Sequence, residues 1–233
     1  MRRTLRIVTI IVGLVLALIP AFTAQAAPRA TVGGGSGIVI DKRFGCTMTT
    51  VGHDRAGRLV GLTAGHCGSV GSAIMLERNP GVGVIGRIVQ KSKPGDYAVI
   101  ALDPNRVAGT PVAGGATIRS VGTFPPVGAN VCKSGRTTGF SCGPVLQLSG
   151  TDSLSYVCAN HGDSGGPVVS GTRVVGMLNG GLIVGIPGTP IEGAIGCVHP
   201  AIPIFTPMIA TKMTAILADL NRIGGVGAGF RPI

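Results

Sequence analysis

Beyond residue 30 no apolar stretch runs far before glycine or proline interrupts it, and this limits the folds open to the chain. Forty of its 233 residues are glycine and sixteen are proline. The apolar runs Gly37–Ile40, Leu59–Leu62, Val82–Val89, Tyr97–Leu102, Pro167–Val169 and Arg173–Leu178 have the length of strands, not helices. Short strands at such spacing point to an all-β sandwich or barrel. The glycines follow no three-residue period, which excludes collagen. A charged fraction of 12% and a mean hydropathy of +0.49 exclude a disordered chain. A Gly/Pro-rich region from Gly109 to Val127 divides the strands into two halves with no repeat between them. One helix is expected near the end, over about 207–221. Thr206 would cap it, Pro207 sits in its first turn, and Ile209, Met213, Ile216, Leu217 and Leu220 keep helical spacing before the glycines that follow Ile223. Its polar face is not basic, so it is expected to pack on the second half, not on a membrane.

The chain opens with Met1-Arg2-Arg3, an apolar run from Ile7 to Phe22, and Ala24-Gln25-Ala26, a small-x-small cleavage site. This reads as a secretion signal over 1–26 with the cut before Ala27. The run is short for an uncleaved anchor, and no later segment reads as a membrane span. An exported chain meets oxidising conditions, where six cysteines form disulfides. Six allow fifteen pairings. Order and spacing favour Cys46–Cys67, Cys132–Cys142 and Cys158–Cys197, and no C-x-x-C pair supports a zinc site. The net charge of +11 comes without a basic run or a stacking platform, so no nucleic-acid partner is expected.

Gly162-Asp163-Ser164-Gly165-Gly166-Pro167 places a serine among small residues that let another backbone approach. Glycine admits backbone angles that aim the N–H groups of Gly162 and Ser164 at one point, where they could hold an oxyanion. A hydroxyl needs a base to act as a nucleophile. Leu62-Thr63-Ala64-Gly65-His66-Cys67 offers one in His66, anchored by a half-cystine. A carboxylate must fix the imidazole tautomer. Of Glu77, Asp96, Asp103 and Asp152, Asp96 is favoured because it begins the apolar strand that follows Pro94-Gly95. A buried Asp163 would itself need a positive partner or several N–H donors. Lys133 and Arg136 are the candidates.

With these residues in view the chain resembles the secreted bacterial branch of chymotrypsin-like serine proteases, the group of α-lytic protease and the streptogrisins. The likeness runs from about residue 30 to about residue 221. The His66 and Ser164 motifs are shared across the superfamily. Val131-Cys132-Lys133-Ser134-Gly135-Arg136-Thr137-Thr138-Gly139-Phe140 with Cys142, and Cys158-Ala159-Asn160-His161, are more specific to α-lytic protease-like enzymes. The resemblance implies two antiparallel six-stranded β-barrels, the first over about 30–115 and the second over about 120–208, followed by the helix. The active site would lie between them, with His66 and Asp96 from the first barrel and Ser164 from the second. It supports the same three disulfides and implies that Asp163 pairs near Lys133, a position where relatives carry arginine. Gly176-Met177-Leu178-Asn179-Gly180-Gly181 looks like the strand that binds substrate backbone. Asn179 stands where relatives have serine beside the aspartate, so its amide either supports Asp96 or disturbs it. Little separates Ala27 from the mature-like start at Ala30, although many relatives carry a long pro-segment, and Leu182 to Pro203 departs from the family loop.

By alignment Ala159 and Leu178 form apolar walls of the primary pocket, with Asn160 and His161 at its rim and Gly180 and Gly181 beside it. The resemblance implies a secreted serine endopeptidase that acts through an acyl-enzyme and cleaves after medium or large apolar residues. Glu192 reaching into the pocket would instead admit a basic residue. The rival reading is a protease-fold binding protein of the cell surface that no longer cleaves. An α/β-hydrolase esterase is excluded because it needs Gly-x-Ser-x-Gly with the histidine after the serine. The expected partners are protein or peptide substrates. A monomer is expected, with no cofactor, no metal and no stable membrane span after signal cleavage. The protein is expected to be secreted, with cell-wall association as a variant.

Overall fold

The computed structural model describes residues 29–185 and 193–233, so the leader expected over 1–26 and the alternative pocket residue Glu192 lie outside the described residues. The first half contains β1 (Ala30–Val32), β2 (Gly37–Ile40), β3 (Phe44–Thr47), β4 (Thr50–His53) and β5 (Leu59–Ala64). It continues with β6 (Ala73–Leu76), β7 (Val84–Ser92), β8 (Tyr97–Leu102) and β9 (Val107–Gly109). Two short strands, β10 (Val112–Ala113) and β11 (Ala116–Thr117), occupy the dividing region. The second half contains β12 (Ser120–Val121), β13 (Asn130–Gly135), β14 (Gly139–Ser149), β15 (Asp152–Ser155), β16 (Pro167–Ser170), β17 (Arg173–Gly181) and β18 (Met208–Lys212). The helix α1 (Met213–Ile223) and a last strand β19 (Arg231–Pro232) complete the chain.

The fold is all-β with one helix, in two curled sheets. In the second half the order β17-β16-β13-β14-β15-β18 closes on itself, because β18 pairs with both β15 and β17. The first half is a curled sheet in the order β19-β4-β5-β8-β7-β6-β2-β3. Each half has its own apolar interior, and a third cluster lies between the halves and α1.

The continuous apolar runs of β5 and β8 have a direct cause. Successive strand residues face opposite sides of a sheet. Ala98, Ile100 and Leu102 fill the interior of the first half, whereas Tyr97 and Val99 join Met177, Met213, Ile216 and Leu220 in the cluster between the halves. Both faces of these central strands are buried, so alternation disappears from their sequence. His66 follows the end of β5 and Asp96 immediately precedes β8.

The helix begins later than the sequence suggests. Residues 208–212 form β18, and Thr206 hydrogen-bonds the carbonyl of Ile195 instead of capping a helix. Met208 and Ala210 alternate into the second barrel's core, and closing that barrel outweighs the helical spacing of Ile209. Gly224, at φ +79°, ends α1 with its N–H donating to the carbonyl of Leu220. That backbone angle favours glycine.

After α1 the chain crosses back to the first half, a course the sequence did not suggest. Arg231 and Pro232 pair with β4, Ile233 donates its N–H to Val51, and Phe230 enters the cluster between the halves. Asp54, whose side chain is fully buried, anchors this return. It accepts hydrogen bonds from the N–H groups of Gly227 (3.0 Å), Ala56 (3.0 Å) and Arg58 (3.0 Å) and from Arg58 Nε (2.7 Å). Burial pushes its pKa up, but the N–H groups of Gly227 and Arg58 and the guanidinium outweigh burial and hold it below 3.8. The folded chain therefore binds this proton less readily than the unfolded one. The stabilisation is complete above the unfolded pKa and disappears as pH falls through the folded value. We expect Asp54→Asn to lower the unfolding midpoint at pH 7 and to flatten the acid limb of a stability–pH curve below about pH 4. An unchanged acid limb would reject this role.

Candidate active site

The His66 turn and the Asp96 turn meet at one end of the first sheet. His66 lies in a 3₁₀ turn, Gly65–Cys67, tied to β3 by the Cys46–Cys67 disulfide. Asp96 Oδ2 lies 2.7 Å from His66 Nδ1, and Asp96 Oδ1 accepts the backbone N–H of His66 at 2.8 Å. Gly65 donates its N–H to the carbonyl of Asp96 at 2.7 Å. A carboxylate accepts only, so the ring proton sits on Nδ1 and leaves Nε2 as the basic nitrogen. Asn179, on β17, donates from Nδ2 to Asp96 Oδ2 (3.0 Å) and to the Asp96 carbonyl (3.1 Å). Both bonds reach Asp96 from the second half. Among the described residues Asn179 Oδ1 is buried without a partner.

Ser164 sits in the loop before β16, and contacts across the whole fold hold that loop. Thr47 Oγ1 donates to the carbonyl of Gly162 (2.9 Å), the Thr47 N–H to Ser164 (2.8 Å) and Thr49 Oγ1 to Gly165 (2.6 Å). Thr63 Oγ1 in turn donates to the Thr47 carbonyl at 2.8 Å. The first half therefore fixes three carbonyls of a second-half loop. Sequence reading missed Thr47 and Thr49, since partners more than a hundred positions apart leave no local pattern. Gly165 shows why its neighbours are small. At φ +82° a Cβ there would lie 2.3 Å from Thr63 Oγ1 and 2.4 Å from the Thr47 carbonyl.

Asp163 points away from the cleft and is fully buried with Lys133. It accepts from the N–H groups of Thr137 (2.9 Å), Thr138 (3.1 Å) and Asn160 (3.0 Å), from the Thr138 hydroxyl, and from Lys133 Nζ (3.2 Å). Lys133 also donates to the Thr138 hydroxyl and to the Gly139 carbonyl (2.8 Å). Burial pushes the Lys133 ammonium below its usual pKa, and Asp163 opposes that push. Arg136, the other candidate partner, pairs with Glu77 through Nε (2.9 Å) and Nη2.

This anchoring sets the backbone of the serine loop. The N–H groups of Asp163, Gly165 and Gly166 are taken by the carbonyls of Asn160, Leu178 and Asp163. Among the described residues the N–H groups of Gly162 and Ser164 have no acceptor. Gly162 holds φ +92°. Two unspent donors flank a serine in an otherwise satisfied loop, the arrangement that stabilises negative charge developing on a carbonyl oxygen.

His66 and Ser164 line the same cleft, of about 330 Å³. Among the described residues Ser164 Oγ has no hydrogen bond to the imidazole, and such contacts commonly tighten only around bound substrate. Ala159, Asn160, His161, Leu178, Gly180 and Gly181 all line this cleft. Asn179 lines it too, and Ala194, Ile195, Gly196, Met208 and Thr206, which the sequence suggested only as a helix cap, complete its lining. The Cys158–Cys197 disulfide joins its walls, supported by hydrogen bonds from the Cys197 N–H to the Ala159 carbonyl (2.8 Å) and from Asn160 Nδ2 to the Cys197 carbonyl (3.0 Å). Leu178 and Met208 are buried and apolar. No carboxylate lines the cleft among the described residues. Among those residues no cluster of three His, Cys, Asp or Glu side chains is placed to hold a metal ion.

The architecture is that of the chymotrypsin-like class, two curled β-sheets with a cleft where they meet and a helix at the end. No family model matches the chain. Over 137 residues it is 38% identical to streptogrisin-C of Streptomyces griseus, covering 51% of this chain and 28% of that protein. It is 29% identical over 170 residues to serine protease 2 of Streptomyces fradiae, covering 64% of this chain and 94% of that one. The crystal structure of a Nocardiopsis protease superposes with a TM-score of 0.62 at 26% identity, covering 82% of this chain and 97% of the other. These likenesses support a bacterial chymotrypsin-like serine protease.

Proposed function

We propose that the chain is a secreted serine endopeptidase in which Ser164, His66 and Asp96 form the catalytic triad. The observation that carries this reading is the pair of N–H groups at Gly162 and Ser164 that have no acceptor among the described residues, in the serine loop whose Ser164 lines one cleft with His66. His66 Nε2 takes the proton from Ser164 Oγ as the oxygen attacks the substrate carbonyl. The carbonyl oxygen becomes an oxyanion held by Gly162 and Ser164. His66 then returns the proton to the departing amine, leaving an acyl-enzyme. Water repeats the sequence, giving its proton to His66 and releasing the acid with Ser164 restored. Asp96 remains ionised throughout and keeps the ring proton on Nδ1.

The preferred residue before the cut bond is apolar and of medium or large size. Ala159, Leu178, Ala194, Ile195 and Met208 offer it hydrocarbon, and no described carboxylate offers a basic side chain a partner. Export agrees with the three disulfides. Among the described residues no helix is long and apolar enough to cross a membrane.

The test uses protein beginning at Ala27 and an organophosphonate. The wild type should take up one equivalent and Ser164→Ala none. Folded wild type that takes up none would support the non-cleaving reading instead. On a panel of chromogenic peptides differing only before the cut bond, kcat/KM for Leu or Phe should exceed that for Arg by about tenfold or more. Faster cleavage after Arg would overturn the apolar assignment.

A further inference from the structure

Asp219 lies on α1, outside the cleft, yet its hydrogen bonds lead to Asp96. Its Oδ2 accepts from Ser92 Oγ at 2.8 Å and from the Tyr97 hydroxyl at 3.0 Å. Ser92 and Tyr97 are partners in the β7–β8 register and stand at the two ends of the turn that carries Asp96. Asp96 itself adopts φ +41°, a conformation L-residues rarely take. Such a backbone costs about 1–3 kcal/mol and persists only when its surroundings over-determine it. Two second-half groups do so, Asn179 from β17 and Asp219 from α1. Arg222, one turn along α1, pairs with the other Asp219 oxygen. Arg222 and the two hydroxyls hold the Asp219 carboxyl below the usual range, so it accepts as a carboxylate. Tyr97 is fully buried against Met213, Ile216 and Leu220, so the clamp and the helix move as one.

We propose that Asp219 is a positioning residue. It fixes both ends of the 93–96 turn so that Asp96 Oδ2 stays within hydrogen-bond reach of His66 Nδ1. Its kinetic consequence rests on the triad reading above, whereas its geometric consequence does not.

The experiment compares Asp219→Ala and Asp219→Asn in protein beginning at Ala27, well below the unfolding midpoint of each. The downfield proton resonance of His66 Nδ1–H reports the His66–Asp96 contact directly. It should shift or broaden in Asp219→Ala and persist in Asp219→Asn, whose amide oxygen still accepts both hydroxyls. On a peptide substrate kcat should fall about tenfold in Asp219→Ala with KM within about twofold, because small misplacements of a catalytic group are amplified in rate. Asp219→Asn should restore most of that loss. A lowered midpoint with resonance and kcat unchanged would make Asp219 a stabilising contact only and overturn the proposal. Should Asp219→Ala fail to fold, Ser92→Ala combined with Tyr97→Phe removes both donors and leaves the Arg222 pair. The same shift and loss are then expected, and their absence overturns the proposal equally. If wild type neither turns over peptide nor takes up phosphonate, the triad reading fails, while the resonance still decides the role of Asp219.

Discussion

Replacing Ser164 or His66 by alanine is expected to lower kcat on a peptide substrate by about 10⁴-fold or more, with KM little changed. The two losses should not add in the double variant, because nucleophile and base act as one unit. Asp96→Asn should cost nearly as much, and the local geometry gives the reason. Asp96 Oδ1 accepts a backbone N–H that cannot be anything but a donor. An asparagine would therefore keep its oxygen there and present its NH₂ where Oδ2 now meets His66 Nδ1 and Asn179 Nδ2. That NH₂ forces Nδ1 to become an acceptor, which moves the ring proton to Nε2 and removes the base. Activity within about tenfold of wild type in any of these three single variants would contradict the proposed roles.

Asp163→Ala is expected to destabilise the fold by about 3–5 kcal/mol, measured by denaturant unfolding at pH 7. It leaves a fully buried ammonium without its counter-charge and strands the N–H groups of Thr137, Thr138 and Asn160. Lys133→Met should cost less. The carboxylate it uncovers keeps three N–H donors and a hydroxyl, whereas the ammonium left by Asp163→Ala keeps only the Thr138 hydroxyl and the Gly139 carbonyl. The pH dependence has a defined sign. Lys133 has a folded pKa below its unfolded value of 10.5, so in that interval the unfolded chain binds more protons and stability rises with pH. Losing Asp163 widens the interval, so the deficit of Asp163→Ala should shrink as pH is raised from 7 towards 10. A deficit under about 1 kcal/mol, or one that grows with pH, would show that the buried pair does not hold the serine loop.

Both halves of the proposed chemistry were legible in the sequence because each is written in consecutive residues. The serine loop must be small and must adopt unusual backbone angles at Gly162 and Gly165, so its composition stands out. The histidine is marked by its half-cystine and the aspartate by a turn before an apolar strand. Two buried faces per central strand likewise left continuous apolar runs in β5 and β8.

Contacts across the fold left no such trace. Nothing in the sequence singled out Thr47, Thr49, Asp54 or Asp219, and Thr63 stood out only as a neighbour of His66. Ile209 kept helical spacing and still became a strand residue, because closing a barrel core is worth more than local propensity. The residue types needed for the proposed chemistry, and the turns that carry them, were therefore set by local backbone preference and are readable along the chain. The distances between those turns were decided by tertiary structure alone. Hydrogen bonds link β3 to the serine loop, β17 to Asp96, and the Ser92 and Tyr97 hydroxyls beside the Asp96 turn to Asp219 on α1, and a bond between distant residues imposes no periodicity on either partner's neighbours.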